Sequence, residues 1–324
     1  MSDSPHERTR GADSEGVTHI QVDESQRAGI TGRWVQVGHS DDVDSFRAGV
    51  IAASTAMDAV DAVLFLVFAG GHHDHEQLMA GVASVAPAGS AAVGCTTDGA
   101  RAGGDGADNG VCVMAIGGDG ISVATRRVDI AGRSPLEAGE EAASVIRDID
   151  GRGHTVVLLF AGGAAADQYD VVRGARAALD AEAPLIGGCV GDVEISGTAL
   201  FHATSDATRI GPDQLIGIAI SSVGPIGIGA DGGCQPDDVD ATGPVGRAIG
   251  GADDPGASTV AAYRQAVSTL NGSPVGVLVF GEAVLRVEER SDTPVIGCAL
   301  HRQFARVEGA AAVHDPAVIA LAIG

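Results

Sequence analysis

Four adjacent polar residues, His72-His73-Asp74-His75, form the segment of this sequence that is most typical of a metal or proton-transfer site. Imidazole and carboxylate groups bind zinc when they point at one centre, which residues four apart on a helix can do and adjacent residues seldom do. Asp74 stands directly before a helical pattern, where an aspartate caps the first turn and Glu76 lies near the positive end of the helix dipole. The cluster therefore predicts a helix cap, with a metal site or a ligand contact by His72 and His73 as the alternatives.

The segment from Cys95 to Gly99, Cys-Thr-Thr-Asp-Gly, combines a thiol, two hydroxyls and a carboxylate. A nucleophilic cysteine needs a nearby histidine or a helix N-terminus to form its thiolate, and His72 or His73 could approach Cys95 from the neighbouring turn. A buried structural thiol is the other interpretation of Cys95. The hydroxyls and the carboxylate are suited to holding a polar ligand, for example through its amino group.

Glycine pairs follow two of the apolar strands, and glycines also stand directly before Cys95, Cys189 and Cys298 at the end of the later strand of each copy. Such glycines allow a tight strand-to-helix turn, and they also leave backbone amide groups free to point into a cleft. On the second interpretation, a cleft lined by these turns and corners binds a small polar molecule. The predicted ligand-binding residues are Gly70, Gly71, His72, His73, Gly94, Cys95, Thr96, Thr97, Asp98, Gly162, Gly163, Gly187 and Gly188. The sequence predicts no catalytic residue, no metal and no cofactor.

The elements that must position these residues recur three times along the chain. Each copy contains an amphipathic helix, an apolar strand, a second helical segment and a glycine corner, followed by further strands. The apolar strands are residues 62–68, 155–160 and 275–280, and residues 121–128 are predicted to close the first copy. In the first helix, Phe46 is predicted to lie on the buried face.

Strands joined by crossover helices pair in parallel, whereas closely spaced strands pair as antiparallel neighbours. The predicted fold class is therefore α/β, with repeated α-β-α-β-β-β units that form mixed sheets covered by helices. Residues 1–30 are predicted to be a disordered tail, because they are polar and lack periodicity. Residues 31–230 form a domain of two copies, and residues 231–324 form a smaller, degenerate third whose strand and corner lie closer together.

Composition excludes several classes of function. The net charge of −23 repels phosphate backbones and anionic lipids, which argues against nucleic-acid and membrane partners. Every basic residue is an arginine, so the chain has no lysine for a Schiff base or a Walker motif. The N-terminal segment has no apolar signal core, and the cysteines are odd in number and mostly within apolar segments. These features predict a cytoplasmic protein with reduced thiols.

Residues 64–69 (Leu-Phe-Leu-Val-Phe-Ala), the His/Asp-containing helix start and residues 93–99 (Val-Gly-Cys-Thr-Thr-Asp-Gly) resemble the N-terminal FIST domain. The segments 184–188 and 215–220 are similar to the rest of that domain. The resemblance implies a sensory module that binds a small ligand, such as an amino acid or a related metabolite. It identifies residues 31–230 as the FIST N-like domain and residues 231–324 as a shortened FIST C-like domain.

The predicted function is therefore that of a sensory, signal-transduction protein rather than an enzyme. It binds a small polar metabolite and acts through a signalling partner protein, because no output domain is recognisable in the chain. Two alternatives remain open at this stage. The first is a cysteine-dependent hydrolase that uses Cys95 with His72 or His73, and the second is a protein-interaction scaffold that binds no ligand.

Overall fold

The computed structural model describes residues 32–57, 61–97, 99–102, 110–149, 153–162, 168–180, 183–190, 199–231, 246–249, 255–281, 293–300, 302–307, 310–315 and 318–324. The predicted disordered tail, residues 1–30, lies outside this part of the chain, and so do Asp98 and Gly163. The other predicted ligand-binding residues lie within it.

The described residues form five α-helices and eighteen strands. The helices are α1 (Ser45–Ala56), α2 (His75–Val85), α3 (Pro135–Ala143), α4 (Gln168–Ala178) and α5 (Pro255–Ser268). The strands are β1 (Trp34–Ser40), β2 (Ala62–Ala69), β3 (Ala91–Thr96), β4 (Ala100–Ala102), β5 (Val111–Gly117), β6 (Ile121–Asp129), β7 (His154–Ala161), β8 (Leu185–Cys189), β9 (Leu200–Ala203), β10 (Thr208–Gly211), β11 (Gln214–Ser222), β12 (Ile226–Asp231), β13 (Gly246–Ile249), β14 (Gly276–Phe280), β15 (Val295–Cys298), β16 (Arg302–Val307), β17 (Ala310–Asp315) and β18 (Val318–Ile323).

The strands are arranged in three mixed sheets. The strand order is β1-β5-β2-β3-β9-β10 in sheet 1, β13-β17-β16-β8-β7-β11-β6 in sheet 2 and β12-β18-β14-β15-β4 in sheet 3. Each sheet contains a parallel pair, which is β2 with β3 in sheet 1, β7 with β8 in sheet 2 and β14 with β15 in sheet 3. The strands that directly flank each of these pairs run antiparallel to it. The predicted α/β fold with mixed sheets is confirmed.

Each sheet is completed by a strand from elsewhere in the chain. Strand β9, which follows β8 of sheet 2, pairs with β3 of sheet 1. Strand β16 follows β15 of sheet 3 and pairs with β8 of sheet 2, while β4 follows β3 of sheet 1 and pairs with β15 of sheet 3. The three sheets thus form a closed ring in which each one donates a strand to another.

The inner faces of the three sheets share one hydrophobic core. Side chains alternate between the two faces of a strand, so every second residue of the apolar strands points into the ring. Phe68, Phe160 and Phe280 meet there, with ring centroids 5.8–6.5 Å apart and near-perpendicular ring planes. Among the described residues, packed side chains rather than a hollow occupy the space between the three glycine corners.

The outer faces of the sheets pack against the helices. Helices α1 and α2 cover sheet 1, α3 and α4 cover sheet 2, and α5 covers sheet 3. Helix α1 buries its alanines, including Ala48 and Ala52, whereas Phe46 is 40% exposed. The prediction that Phe46 is buried is wrong. Helix α1 packs against α2 through a face of small residues that includes Gly49, so its larger side chains point outward.

Two strand assignments differ from the sequence analysis. Strand β1 precedes the first helix and pairs with β5, although no strand was predicted there. Strand β6, which was predicted to close the first copy, pairs with β11 in sheet 2. The chain leaves sheet 1 through a turn at Gly118 and Gly120, which have φ angles of +94° and +85° that favour glycine.

Sheet 3 is covered by fewer described helices than the other two sheets. Only α5 packs on it among the residues described, and residues 282–292, between β14 and β15, lie outside them. No helix in the described ranges has the length and apolar character needed to cross a lipid bilayer.

Candidate functional site

The fold brings the predicted turns and corners to one end of the ring. Phe68, Phe160 and Phe280 lie at or next to the carboxyl ends of β2, β7 and β14, and their rings are in contact. The segments that follow these strands and their parallel partners therefore converge at the same end. In open α/β sheets ligands commonly bind at the carboxyl ends of the strands, so this end of the ring is the first candidate for a functional site.

The histidine turn at this end is built around Ser45 and Asp74. The Asp74 carboxylate accepts hydrogen bonds from the backbone N–H groups of Glu76 and Gln77, both at 3.0 Å, and the predicted helix cap is confirmed. The Ser45 hydroxyl accepts a hydrogen bond from the Asp74 backbone N–H at 2.9 Å and lies 3.2 Å from Nδ1 of His73.

His73 in this turn is buried, whereas His72 is exposed and packs against it with ring centroids 4.1 Å apart. His75, at the start of α2, contacts the Phe201 ring, and burial lowers the pKa of its imidazole. Within the described part of the chain, no three His, Cys, Asp or Glu side chains are placed to hold a metal ion. The turn therefore leaves His72 as the histidine that a ligand in solvent can reach.

The hydroxyls of Thr96 and Thr97 join the first corner to the other two. Oγ1 of Thr96 accepts a hydrogen bond from the Ala199 N–H at 3.1 Å, and Oγ1 of Thr97 lies 2.7 Å from the Ala299 carbonyl oxygen. Both threonines are buried, and these bonds connect segments that follow the corners of sheets 2 and 3 to the corner of sheet 1. A ligand role for Thr96 and Thr97 stays a prediction, and Asp98 lies outside the described residues.

The corner glycines allow the parallel strands to approach each other closely. A Cβ atom on Gly94 would lie 1.7 Å from the Val67 carbonyl oxygen, and one on Gly187 would lie 1.9 Å from that of Leu159. Both neighbours are backbone atoms of the adjacent strand, which cannot move without breaking the sheet. Packing alone thus requires glycine at these two positions, and a ligand contact there stays a prediction, as it does for Gly188, Gly70 and Gly71.

The thiols of Cys95, Cys112, Cys189 and Cys298 are buried. Burial raises the pKa of Cys112 to about 12, with the Asp41 carboxylate adding to the shift and Arg101 opposing it. Burial also raises the pKa of Cys95 and Cys298 far above the ordinary range for a thiol. A cysteine nucleophile requires the thiolate, so this environment opposes the hydrolase alternative.

We expect these thiols to react slowly in the native protein. In a Cys234→Ser variant, which removes the one cysteine outside the described residues, iodoacetamide at about pH 8 should label the folded chain roughly 100-fold more slowly than the same chain in concentrated urea. Mass spectrometry of quenched samples gives both rates. Rapid labelling of Cys95 in the folded chain, at the rate of an exposed thiol, would contradict this prediction and support a nucleophile.

A depression of 370 Å³ lies at the same end of the ring, where sheet 1 meets sheet 2. We call it the seam pocket; it is lined by Arg127, Asp129, Arg209, Ile210, Gly211, Pro212, Asp213 and Gln214. The turn after β7 adjoins the pocket, because the Gly162 N–H donates to the Gln214 carbonyl oxygen at 3.0 Å. In addition, a Cβ atom on Gly162 would meet the carbonyl oxygen of Pro212. The pocket is therefore continuous with one of the predicted glycine turns.

A network of hydrogen bonds orients Arg127 in the seam pocket. Its guanidinium bonds both carboxylate oxygens of Asp129, and its NH1 lies 3.4 Å from Oε1 of Gln214. The Gln214 side chain is 3% exposed, and its amide donates to the carbonyl oxygens of Leu200 at 2.8 Å and Gly211 at 3.0 Å. Gln214 thereby joins the β9–β10 hairpin of sheet 1 to Arg127 of sheet 2.

Two arginines and two aspartates line this pocket, so their formal charges balance, although the protein as a whole carries a net charge of −23. The hydrogen bond from Arg127 lowers the pKa of the Asp129 carboxyl below its ordinary value, and the charges of Arg127, Arg133 and Arg209 act in the same direction. His202 lies behind the pocket with Nε2 3.0 Å from Oγ1 of Thr125, and burial together with the Arg127 charge lowers the pKa of its imidazole. The neutral form of His202 is therefore favoured.

The seam pocket was not predicted from the sequence. Arg127 lies on β6 and Arg209 on β10, and only the pairing of β9 with β3 and of β6 with β11 brings these strands together. One available signal was the adjacent pair Arg126-Arg127 in a strand of an acidic chain. The sequence alone does not show which distant segment that strand faces.

Comparison with known proteins identifies the family. The FIST N domain matches residues 63–248, more than half of the chain. A crystal structure of cyanuric acid hydrolase from A. caulinodans is 11% identical and covers 90% of this chain and 99% of its own, but its TM-score of 0.37 is too low to support any argument. No curated protein matches the chain. The match over residues 63–248 shows that the protein belongs to the FIST family of sensory domains.

Proposed function

We propose that the protein senses a small polar metabolite and reports its binding to a signalling partner. Membership of a sensory family supports the general role. The observation that carries the proposal is the seam pocket, which is of metabolite size and is lined by strands of two different sheets.

The two-sheet lining provides a mechanism for reporting. Arg209 belongs to the β9–β10 hairpin of sheet 1, whereas Arg127 and Gln214 belong to sheet 2. A ligand that contacts both sides stabilises the relative position of the two sheets in which it binds best. A partner that recognises the same arrangement then binds the occupied protein more tightly, because such coupling is reciprocal.

The predicted turns and corners remain part of this proposal as further ligand contacts. They lie at the same end of the ring, and Gly162 connects them to the pocket through Pro212 and Gln214. His72 is exposed there and can reach a ligand from the side of sheet 1. The hydrolase alternative is less well supported, because Cys95 is fully buried and its pKa is raised.

A thermal-shift screen tests the proposal against the scaffold alternative. We expect at least one compound in a panel of amino acids, organic acids, sugar phosphates and polyamines to raise the midpoint of thermal unfolding. A ligand present at 100 times its dissociation constant adds about 2.7 kcal/mol to the stability of the folded state. If no compound raises the midpoint, the sensor proposal is wrong and the scaffold is favoured.

A pair of glycine variants shows whether the active compound binds in the seam pocket. A Cβ on Gly211, which lines the pocket, would meet nothing within 4 Å, and the same is true of Gly272, which is not among the lining residues. Gly211→Trp should fill the pocket and abolish the shift, whereas Gly272→Trp should leave it unchanged. An equal shift in both variants would place the ligand elsewhere.

A further inference from the structure

We propose that the seam pocket is an anion site, which recognises the carboxylate or phosphate group of a small metabolite through Arg127 and Arg209. This inference rests on the proposed function, since it names the class of ligand for the same pocket.

The three sheets have corresponding positions that can be compared directly. In sheet 2, Phe160 pairs with Ile216, which pairs with Arg127. In sheet 1, Phe68 pairs in the same way with Cys112, which pairs with His39. In sheet 3, Phe280 pairs with Ile319, which pairs with Ala230. The same backbone arrangement therefore accepts histidine or alanine at the position of Arg127.

Packing accordingly does not require an arginine at this position. Sheets 1 and 2 also differ directly after the strands β2 and β7. The N–H of Gly70, after β2, donates to the carbonyl oxygen of Gly110, whereas the N–H of Gly162, after β7, donates to that of Gln214. Glycine thus stands in sheet 1 where sheet 2 has the buried glutamine that contacts Arg127. Arg127 and Gln214, whose side chains contact each other, therefore distinguish sheet 2 from sheet 1 at these positions, and both residues line the pocket.

Arg127 is pre-oriented for an anion. Asp129 and Gln214 fix its guanidinium, and the side chain of Arg127 is 24% exposed while that of Asp129 is 65% exposed. Exposed ion pairs contribute little net stability, so a ligand anion can share or replace the Asp129 contact at small cost. A planar guanidinium recognises carboxylate and phosphate oxygens through paired N–H donors.

Arg209 supplies a second guanidinium from the opposite side. It is exposed, and its one hydrogen bond among the described residues goes from NH1 to the Thr208 carbonyl oxygen at 3.0 Å. Most of its N–H donors are therefore open to a ligand. The pocket also contains the carboxylate of Asp213, so it selects an anion small enough to contact the two arginines without approaching this group.

The charge of the whole protein makes this concentration of arginines informative. With a net charge of −23, the surface as a whole repels anions. Arg127, Arg133 and Arg209 all act on the one carboxylate of Asp129, although Arg133 also pairs with Glu141. A concave site with balanced formal charges repels an anion less than the rest of this surface does, and its two arginines can pair with the anion directly.

Matched probes test the charge requirement. Thermal unfolding of the full chain should be measured with succinate, its neutral analogue succinamide, glycerol 3-phosphate, glycerol and putrescine, each at about 10 mM. We expect succinate or glycerol 3-phosphate to raise the midpoint by about 2 °C or more and the neutral and cationic compounds to have no effect. A response to succinate alone identifies a carboxylate site, and a response to glycerol 3-phosphate alone identifies a phosphate site.

Two arginine variants then test the residues. Arg209→Gln should weaken binding of the active anion about tenfold, because it removes a charge-assisted hydrogen bond. Arg47→Gln is the control, since Arg47 is also exposed to solvent, lies on α1, pairs with Asp42 and does not line the pocket. Both variants should unfold at the wild-type temperature without ligand.

The outcomes separate this inference from the proposed function. If the neutral or cationic compounds raise the midpoint and the anions do not, the sensor proposal stands and the anion site is wrong. If an anion binds but Arg209→Gln and Arg47→Gln weaken it equally, the effect is one of overall charge and the site assignment is wrong. If no compound in this panel or in the wider metabolite screen binds, both proposals are wrong.

Discussion

Replacing Phe160 with alanine is expected to lower the free energy of unfolding by about 3–5 kcal/mol. Phe160 is fully buried, and its ring contacts both Phe68 and Phe280, which belong to the other two sheets. The substitution removes apolar surface and leaves a cavity where all three sheets meet, and neither remaining ring can fill it without leaving its own strand. Urea denaturation followed by circular dichroism gives the free energy.

Phe46→Ala is the matched control for this prediction. The chemical change is the same, but Phe46 is 40% exposed on α1 and lies away from the three-sheet contact. Its effect should be smaller than about 1 kcal/mol, as for most partly exposed positions. Equal losses of stability in the two variants would show that the phenylalanine contact does not hold the sheets together.

Gly94→Ala should be at least as damaging, with a loss of about 4 kcal/mol or more or a failure to fold. The added Cβ would lie 1.7 Å from the carbonyl oxygen of Val67, 2.6 Å from its carbonyl carbon and 2.9 Å from its nitrogen. All three are backbone atoms of β2, so relief requires β2 and β3 to separate. Expression, solubility and thermal unfolding of the variant measure the effect.

Gly99→Ala provides the control within the same corner. A Cβ on Gly99 would meet nothing within 4 Å, so this variant should keep the wild-type stability to within about 0.5 kcal/mol. If Gly94→Ala were as stable as Gly99→Ala, the close approach of β2 and β3 would not be the reason for glycine at position 94. A ligand contact would then become the better explanation of that residue.

Much of the local structure could be predicted from the sequence. The apolar runs became the central strands β2, β7 and β14, since a short run of strand-forming residues between turns has few other stable conformations. Asp74 was identified as a helix cap from its position alone, because capping depends on residues within one turn.

The exchange of strands between sheets could not be predicted in this way. Strand β4 has three residues and pairs with β15 near the other end of the chain, and nothing in its sequence specifies that partner. Strand β6 was assigned to the wrong sheet for the same reason, because pairing between distant strands depends on packing of the whole ring.

The candidate site was only partly accessible to sequence reasoning. The turns and corners that the structure describes lie at one end of the ring, because they follow parallel strands, but a ligand contact by them stays a prediction. The predicted cleft between them is not found among the described residues, since three phenylalanine rings fill the centre. Arg209 and Gln214 drew no attention because their role depends on a hairpin that crosses from one sheet to the next.

The closed ring of exchanged strands determines when this protein can fold during synthesis. Strand β4 is made before its partner β15 and the neighbouring β14 and β18, which lie much later in the sequence. A nascent chain therefore cannot complete sheet 3, and the first corner must wait for the Ala299 carbonyl that Thr97 contacts. Completion of the ring therefore waits until the strands of sheet 3 have been synthesised.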